Sequence, residues 1–326
     1  MALRVSLFLA LGVLFTLSVM IGPAGLSLAD TIRALFLGQG DAATLVMREI
    51  RLPRAILAVL VGASLGLSGA AMQGYLRNPL AEPGLIGVSG SAALGAVIVL
   101  QTGLAAASWL ALPMAALAGA LAAVLLILLL AGPRGSSLTL ILAGIAISAL
   151  AGAMTTLVLN LSPNPFAASE VVFWMMGSLS DRSFDHVWIA LPFMVIGWSL
   201  LLSLGRPLDV LTLGEDAAAT MGVETRRVRM LLVLGIASCV GAATAVAGAI
   251  GFVGLVVPHI LRPFVGARPS SLLWASALGG AVMVLAADLA VRLILPERDL
   301  KLGVLMAIIG APFFLHLIYK TRGELR

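Results

Sequence analysis

Few side chains in this sequence are of a type and spacing that could do chemistry, and the densest group of them is cationic. Arg48, Arg51 and Arg54 fall within REIRLPRAIL, and Arg292 follows Asp288 at i,i+4 in ADLAVRLILPERD. A guanidinium is a planar fork that pairs bidentately with carboxylates. Such a cluster can hold an acidic partner; equally, its long stems can snorkel from an apolar helix to an interface, and Arg292 can pair with Asp288 one turn away. None of this makes or breaks bonds. The chain has 3 histidines and 1 cysteine, and His259 has no His, Cys or acidic neighbour at ligand spacing. No nucleophile with a base, and no acid/base pair, stands at a readable spacing. The expectation is therefore no catalytic residue, no metal site and no disulfide, with Cys239 a small core residue.

The elements that position these residues are set by hydropathy. The 326 residues are 61% hydrophobic and 11% charged, with mean hydropathy +1.12, whereas a soluble domain carries about 25% charged residues. Runs such as WLALPMAALAGALAAVLLILLLA (109–131) are long enough to cross a hydrocarbon core of about 30 Å as helix. Lipid admits only helices or closed barrels, and barrel strands would be shorter and alternating. The fold class expected is an all-α, multi-pass membrane protein with spans near 5–28, 55–75, 84–104, 109–131, 138–161, 186–205, 229–248, 250–262, 272–293 and 302–320. The first is read as an uncleaved span, since no A-x-A site follows it. The eighth is too short for a full crossing; Gly248, Gly251 and Gly254 weaken its start and it is expected to end at Pro258.

Ten spans with both termini inside place twelve of the 20 lysines and arginines in the cytoplasm, in keeping with the positive-inside rule. Arg51, Arg54 and Arg292 then lie outside. On the inner side, RNPLAEP (77–83) makes a tight turn through Asn78 and Pro79, followed by Gly87, Ser89 and Gly90 at the head of the third span. These residues, Asn78 and Pro79 included, with Gly251 and Gly254 of the eighth, pack helices closely or line a pathway. Gln73 is a candidate for the pathway or for an interhelical hydrogen bond.

A soluble-looking stretch, LTLGEDAAATMGVETRRVRM (211–230), lies on the same side. Thr212 or Gly214 can cap a helix over 214–222 whose first turn holds Glu215 and Asp216, the favoured charges there. Gly222 supplies the stop, and a second, basic helix starts near Val223. With no basic face and little apolar mass, the Ala-rich piece suits a protein groove better than lipid. Glu215, Ala218 and Met221 are expected on its contact face.

These residues together resemble the FecCD family of ABC-importer permeases over nearly the whole chain. The motifs are RLPR (51–54), GASLGLSGAAMQGYLRNPLAEPGLIGVSGSAALGA (62–96), FWMMGSLSDRSF (173–184), LTLGEDAAATMGV (211–223), GAIGFVGLVVPHILR (248–262), AADLAVR (286–292) and GAPFF (310–314). The resemblance implies a single permease domain over 1–326 in the bacterial inner membrane, forming a homodimer of ten-span subunits with the path between them. It implies a cytoplasmic ATPase homodimer that uses ATP and Mg, a periplasmic binding protein, and no nucleic acid. This chain has no G-x-x-x-x-G-K-[ST] phosphate loop, so it is expected to bind no cofactor and to leave hydrolysis to its partner. Residues 206–228 would be the coupling loop, with Gly214, Glu215, Asp216, Ala218, Met221 and Gly222 at the ATPase, and Arg51, Arg54 and Arg292 would meet glutamates of the binding protein. Where the family usually reads E-L-P-[VI]-G, this chain has DLKLG (299–303), so no contact role passes to Lys301. Ferric siderophore or haem is the first expectation for the cargo and cobalamin the second. An ATP-independent secondary transporter is a further alternative, which would need carboxylates deep in the membrane; the acidic residues read as falling at ends and loops, with Asp288 nearest to an exception.

Overall fold

The computed structural model describes residues 2–22, 28–38, 41–132, 137–162, 165–294 and 300–324. Arg134 and Arg326, expected in the cytoplasm, and Asp299 of DLKLG lie outside them. Among the described residues there is no strand, and the α-helices in order are α1 (Ala2–Met20), α2 (Leu28–Ile32), α3 (Asp41–Leu45), α4 (Leu52–Leu76), α5 (Val88–Gln101), α6 (Leu104–Ala107), α7 (Ala111–Ala131), α8 (Ser137–Asn160), α9 (Pro165–Met175), α10 (Phe184–Ser203), α11 (Gly205–Leu211), α12 (Glu215–Thr220), α13 (Thr225–Ala247), α14 (Val253–Leu261), α15 (Pro269–Ile294) and α16 (Leu302–Glu324). Eight are long and apolar enough to cross a membrane, α4 continuing a helical run from Ala42. Two shorter apolar stretches, Val88–Gln101 and Val253–Val265, occupy the places of the third and eighth expected spans.

The shortness of α14 follows the sequence reading, although the helix does not end at Pro258 but runs through it to Leu261; the shortness of α5 corrects it. A third span over 84–104 was expected, yet Pro83–Ile86 forms a 3-10 turn and Gly87 takes φ +77, so α5 starts only at Val88 and has 14 residues. At 1.5 Å per residue it covers about 21 Å. The first span begins earlier than expected and ends at Met20. Helix α9, in a stretch read from sequence as a connection, is an addition.

Helix α4 is the centre of the bundle, packed on α15, α14, α13 and α10. In lipid there is no hydrophobic force between helices, so close backbone approach through small residues holds them together. A Cβ at Gly62 would lie 2.3 Å from the carbonyl oxygen of Gly280, one at Gly66 would lie 2.0 Å from that of Ser276, and one at Gly69 would lie 1.9 Å from that of Gly254. The first two let α15 lie along α4; the third seats α14 against it.

Candidate functional site

Three polar clusters interrupt this apolar bundle, one at each end and one between. At the end that carries Arg54, a buried carboxylate gathers two arginines. Arg54 Nε and Nη2 donate to Asp288 Oδ1 at 2.9 and 2.8 Å, and Arg292 Nη2 donates to Asp288 Oδ2. Asp288 is 1% exposed, a burial tolerable only because both oxygens are paired. The two remaining expected contacts turn to α1. Arg292 Nη1 donates to the carbonyl oxygens of Ser18 (2.8 Å) and Ile21 (3.0 Å), and Arg51 Nη1 donates to those of Met20 (2.6 Å) and Val19 (3.3 Å). Carbonyls in the last turn of a helix have no partner within it, so these guanidiniums cap α1. Arg48 likewise donates to the Leu35 carbonyl at 2.9 Å.

The structure thus brings Arg51, Arg54 and Arg292 together, as the sequence suggested, but turns them inward. Arg51 is 4% exposed, and the side chains of Arg54 and Arg292 are 16% and 8% exposed. The helical pair of Arg292 with Asp288 is formed. That Arg54 shares the same carboxylate was hidden by 234 positions of sequence. Lys301 lies with Nζ 5.7 Å from the centroid of the Phe173 ring, a cation–π contact.

The second cluster lies between the ends. After α4 the chain turns at Arg77, Leu80 N donates to Asn78 Oδ1 at 2.9 Å, and Pro79 and Leu80 lead back into the bundle. A Cβ on Gly254 would stand 2.7 Å from Pro83 Cδ and 3.0 Å from the Leu65 carbonyl oxygen. Leu65 is eleven residues above the end of α4, about 16 Å at 1.5 Å per residue, so the RNPLAEP segment is re-entrant. It carries Glu82 with it, and Glu82 Oε1 accepts the amide hydrogen of Phe252 at 2.8 Å. Phe252 precedes α14 with φ +67, and its ring lies against Gly310 of α16. The N-termini of the half-length α5 and α14 therefore meet at Glu82, around a cavity of about 150 Å³ that includes Ser89, Gly251 and Gly254. Glu82 is in a loop, as the acidic residues were expected to be, but this loop folds back into the bundle instead of lying at its end. Sequence reasoning missed Glu82, because depth was read from hydropathy, which does not show a polar segment doubling back.

The other pathway candidates separate. Gln73 is fully buried; its Nε2 donates to the Leu255 carbonyl at 3.2 Å and its Oε1 accepts from Arg262 Nη2 at 2.8 Å, so it is an interhelical hydrogen-bond residue. Gly87 is buried against α8, and Gly90 faces Ala151 of that helix. His259 packs edge-on against Phe313 at 5.8 Å, and no group of three potential metal ligands occurs among the described residues.

The third cluster is the soluble-looking stretch, at the opposite end beside Arg77. Helix α12 has six residues, shorter than the expected 214–222, because Gly214 takes φ +109 and Gly222 φ +83. Val223 N donates to the Ala218 carbonyl at 2.9 Å and Gly222 N to that of Ala219 at 3.0 Å, the paired bonds of a Schellman stop. Glu215, Asp216 and Met221 are exposed, whereas Ala218 is fully buried. Ala218 therefore faces the body of the chain, which corrects the expected contact face. The basic helix that follows is α13 itself; Arg229 in it donates to the Gly132 carbonyl at 3.0 Å, closing α7.

Helix α11 ties this element to α15. Asp209 Oδ1 accepts from Ser270 N at 2.8 Å, and Oδ2 accepts from Ser270 Oγ at 2.7 Å and Arg268 Nε at 2.8 Å. Partial burial pushes the Asp209 carboxyl up, but the Ser270 amide, Arg268 and the Ser270 hydroxyl outweigh it and hold the pKa below the usual value.

Compared with known proteins, residues 10–320 match the FecCD transport family. An uncharacterized ABC transporter permease of Bacillus subtilis is 42% identical over 86% of this chain and 80% of its own length. The cobalamin import system permease of Halobacterium salinarum is 41% identical over 86% and 75%, and the Fe(3+) dicitrate transport system permease FecD of Escherichia coli is 39% identical over 85% and 86%. A solved structure described as a metal-chelate type ABC transporter in an inward-facing conformation superposes with TM-score 0.87 and 33% identity, covering 97% of this chain and 98% of that one.

Proposed function

Because the chain belongs to the FecCD transport family, we propose that it is the membrane permease of an ATP-driven importer whose cargo is an iron chelate. The observation that carries this reading is the near-complete superposition on a metal-chelate type ABC transporter. Cobalamin is the second reading, supported by the cobalamin permease at 41% identity.

In the arrangement proposed, two copies pair, each crossing the membrane ten times with α5 and α14 as partial crossings, and both termini are cytoplasmic. A separate ATPase meets α12 through Glu215, Asp216 and Met221, and its movement passes through Asp209 to α15. A binding protein docks at the Arg54 end. Glu82, Ser89, Gly251 and Gly254 are proposed to border the path, where small side chains leave room for a bulky chelate.

Proteoliposomes containing this chain, its cognate ATPase and its binding protein test the proposal. ATP-dependent uptake of a radiolabelled ferric chelate is expected. Uptake that persists without ATP overturns the importer reading, and uptake of labelled cobalamin alone transfers the assignment to the second reading.

A further inference from the structure

A groove of about 440 Å³ runs down the flank of the bundle between α1, α4, α10 and α15. Its floor is Ala63, Ala277 and Ala281, left low by the close packing of α4 on α15. Phe8, 60% exposed, and Trp274, 55% exposed, form its lips. The Trp198 ring is a fixed wall, since its Nε1 donates to Ser64 Oγ at 2.9 Å within the bundle. Among the lining residues Arg4 carries the only charge.

Depth identifies the occupant. Arg4 and Trp274 stand within the first two turns of α1 and α15, and Leu11 and Ala281, near the far end, are seven residues further on. That interval is about 10 Å at 1.5 Å per residue, within one leaflet of a hydrocarbon core about 30 Å thick. The groove thus has a cation and an exposed indole at interfacial level and an apolar channel below, deep enough for the upper part of an acyl chain. Tryptophan prefers the interface, and a basic residue between helices on the cytoplasmic side favours anionic headgroups, so the charge of Arg4 above apolar walls fits a lipid rather than a second protein surface.

We propose that this groove binds one anionic phospholipid of the cytoplasmic leaflet, its phosphate at Arg4 and one acyl chain on the alanine floor. The leaflet assignment rests on the cytoplasmic N-terminus proposed above; the readout below needs no transport, so it stands apart from the importer reading.

The test uses the purified full-length chain in nanodiscs with brominated phosphatidylglycerol or brominated phosphatidylcholine as quencher. Fluorescence of Trp274 is taken as the difference between the wild type and Trp274→Phe. One arginine near an anionic surface corresponds to about 1 kcal/mol, or roughly a fivefold preference. Quenching is expected at about five times lower mole fraction of phosphatidylglycerol than of phosphatidylcholine, and Arg4→Gln is expected to equalise the two. Ala277→Phe, which fills the floor and keeps Arg4, is expected to weaken quenching by both lipids. Equal quenching in the wild type, a preference that survives Arg4→Gln, or no effect of Ala277→Phe overturns the proposal.

Discussion

The carboxylate of Glu82 accepts the amide hydrogen of Phe252 at 2.8 Å across 170 positions of sequence. That bond joins the re-entrant RNPLAEP segment to the start of α14. It also satisfies a donor that begins a helix and has no partner within it.

Replacing Glu82 by alanine removes the partner of that part-buried amide, a loss of about 1 kcal/mol, the net contribution of a typical hydrogen bond. Glu82→Gln keeps an acceptor oxygen at the same reach. In the reconstituted complex, Glu82→Ala is expected to lower ATP-driven uptake several-fold and to melt earlier, while Glu82→Gln stays near the wild type. Equal losses in both variants would mean that the charge, and not the hydrogen bond, is what matters.

At the Arg54 end, Asp288 neutralises two arginines that lie mostly out of water. Asp288→Ala is expected to destabilise the chain by about 3–5 kcal/mol, the scale for removing one partner of a buried ion pair, read as a lower melting temperature in detergent. If melting is unchanged, Arg54 and Arg292 find other partners and the cluster is not a brace.

The docking role proposed for these arginines is separable from the brace by salt. Charge reversal of Arg51 and Arg54 is expected to weaken binding-protein docking and to flatten its dependence on ionic strength. Since both arginines also hold α1 or α15, the comparison is made among variants matched in melting temperature. Docking with unchanged affinity and salt slope removes the assignment.

Gly69→Ala places a methyl 1.9 Å from the Gly254 carbonyl oxygen, whereas a Cβ at Gly12 meets nothing within 4 Å. Overpacking of this kind costs about 1–3 kcal/mol. A clear fall in stability is expected for Gly69→Ala and none for Gly12→Ala, measured side by side by thermal unfolding. Equal stability in the two would show that α4 and α14 can separate freely.

The pH dependence of Asp209 has a definite sign. Its folded pKa is depressed, so its contribution is fully present above the ordinary carboxyl value of about 3.9 and is lost as pH falls through the folded value. Asp209→Asn removes the charge at every pH. The stability gap between wild type and Asp209→Asn is expected to be constant near neutrality and to shrink below about pH 4; a gap that widens on acidification contradicts the geometry at Ser270.

Much of this molecule is legible in its sequence, for a physical reason. Lipid forces helices, and an uncharged run such as 109–131 leaves no other reading. The stop at Gly222 and the pairing of Arg292 with Asp288 are local events, set by left-handed backbone and by i,i+4 spacing. What stayed hidden is long-range. Arg54 finds Asp288 because α4 lies along α15, Glu82 finds Phe252 because a polar segment re-enters the bundle, and Ala218 turns inward because α12 rests against α11 and α13. No window of hydropathy carries such information.

Helix α12 is bounded by two left-handed glycines, Gly214 and Gly222. Both of its ends are tied by hydrogen bonds, Gly214 N to the Leu211 carbonyl at 3.0 Å and Val223 N to that of Ala218 at 2.9 Å, which makes the helix a braced elbow between α11 and α13. A partner that gripped Glu215 and Met221, as proposed, would therefore carry the adjoining ends of α11 and α13 with it, since an elbow braced on both sides cannot fold without moving its arms.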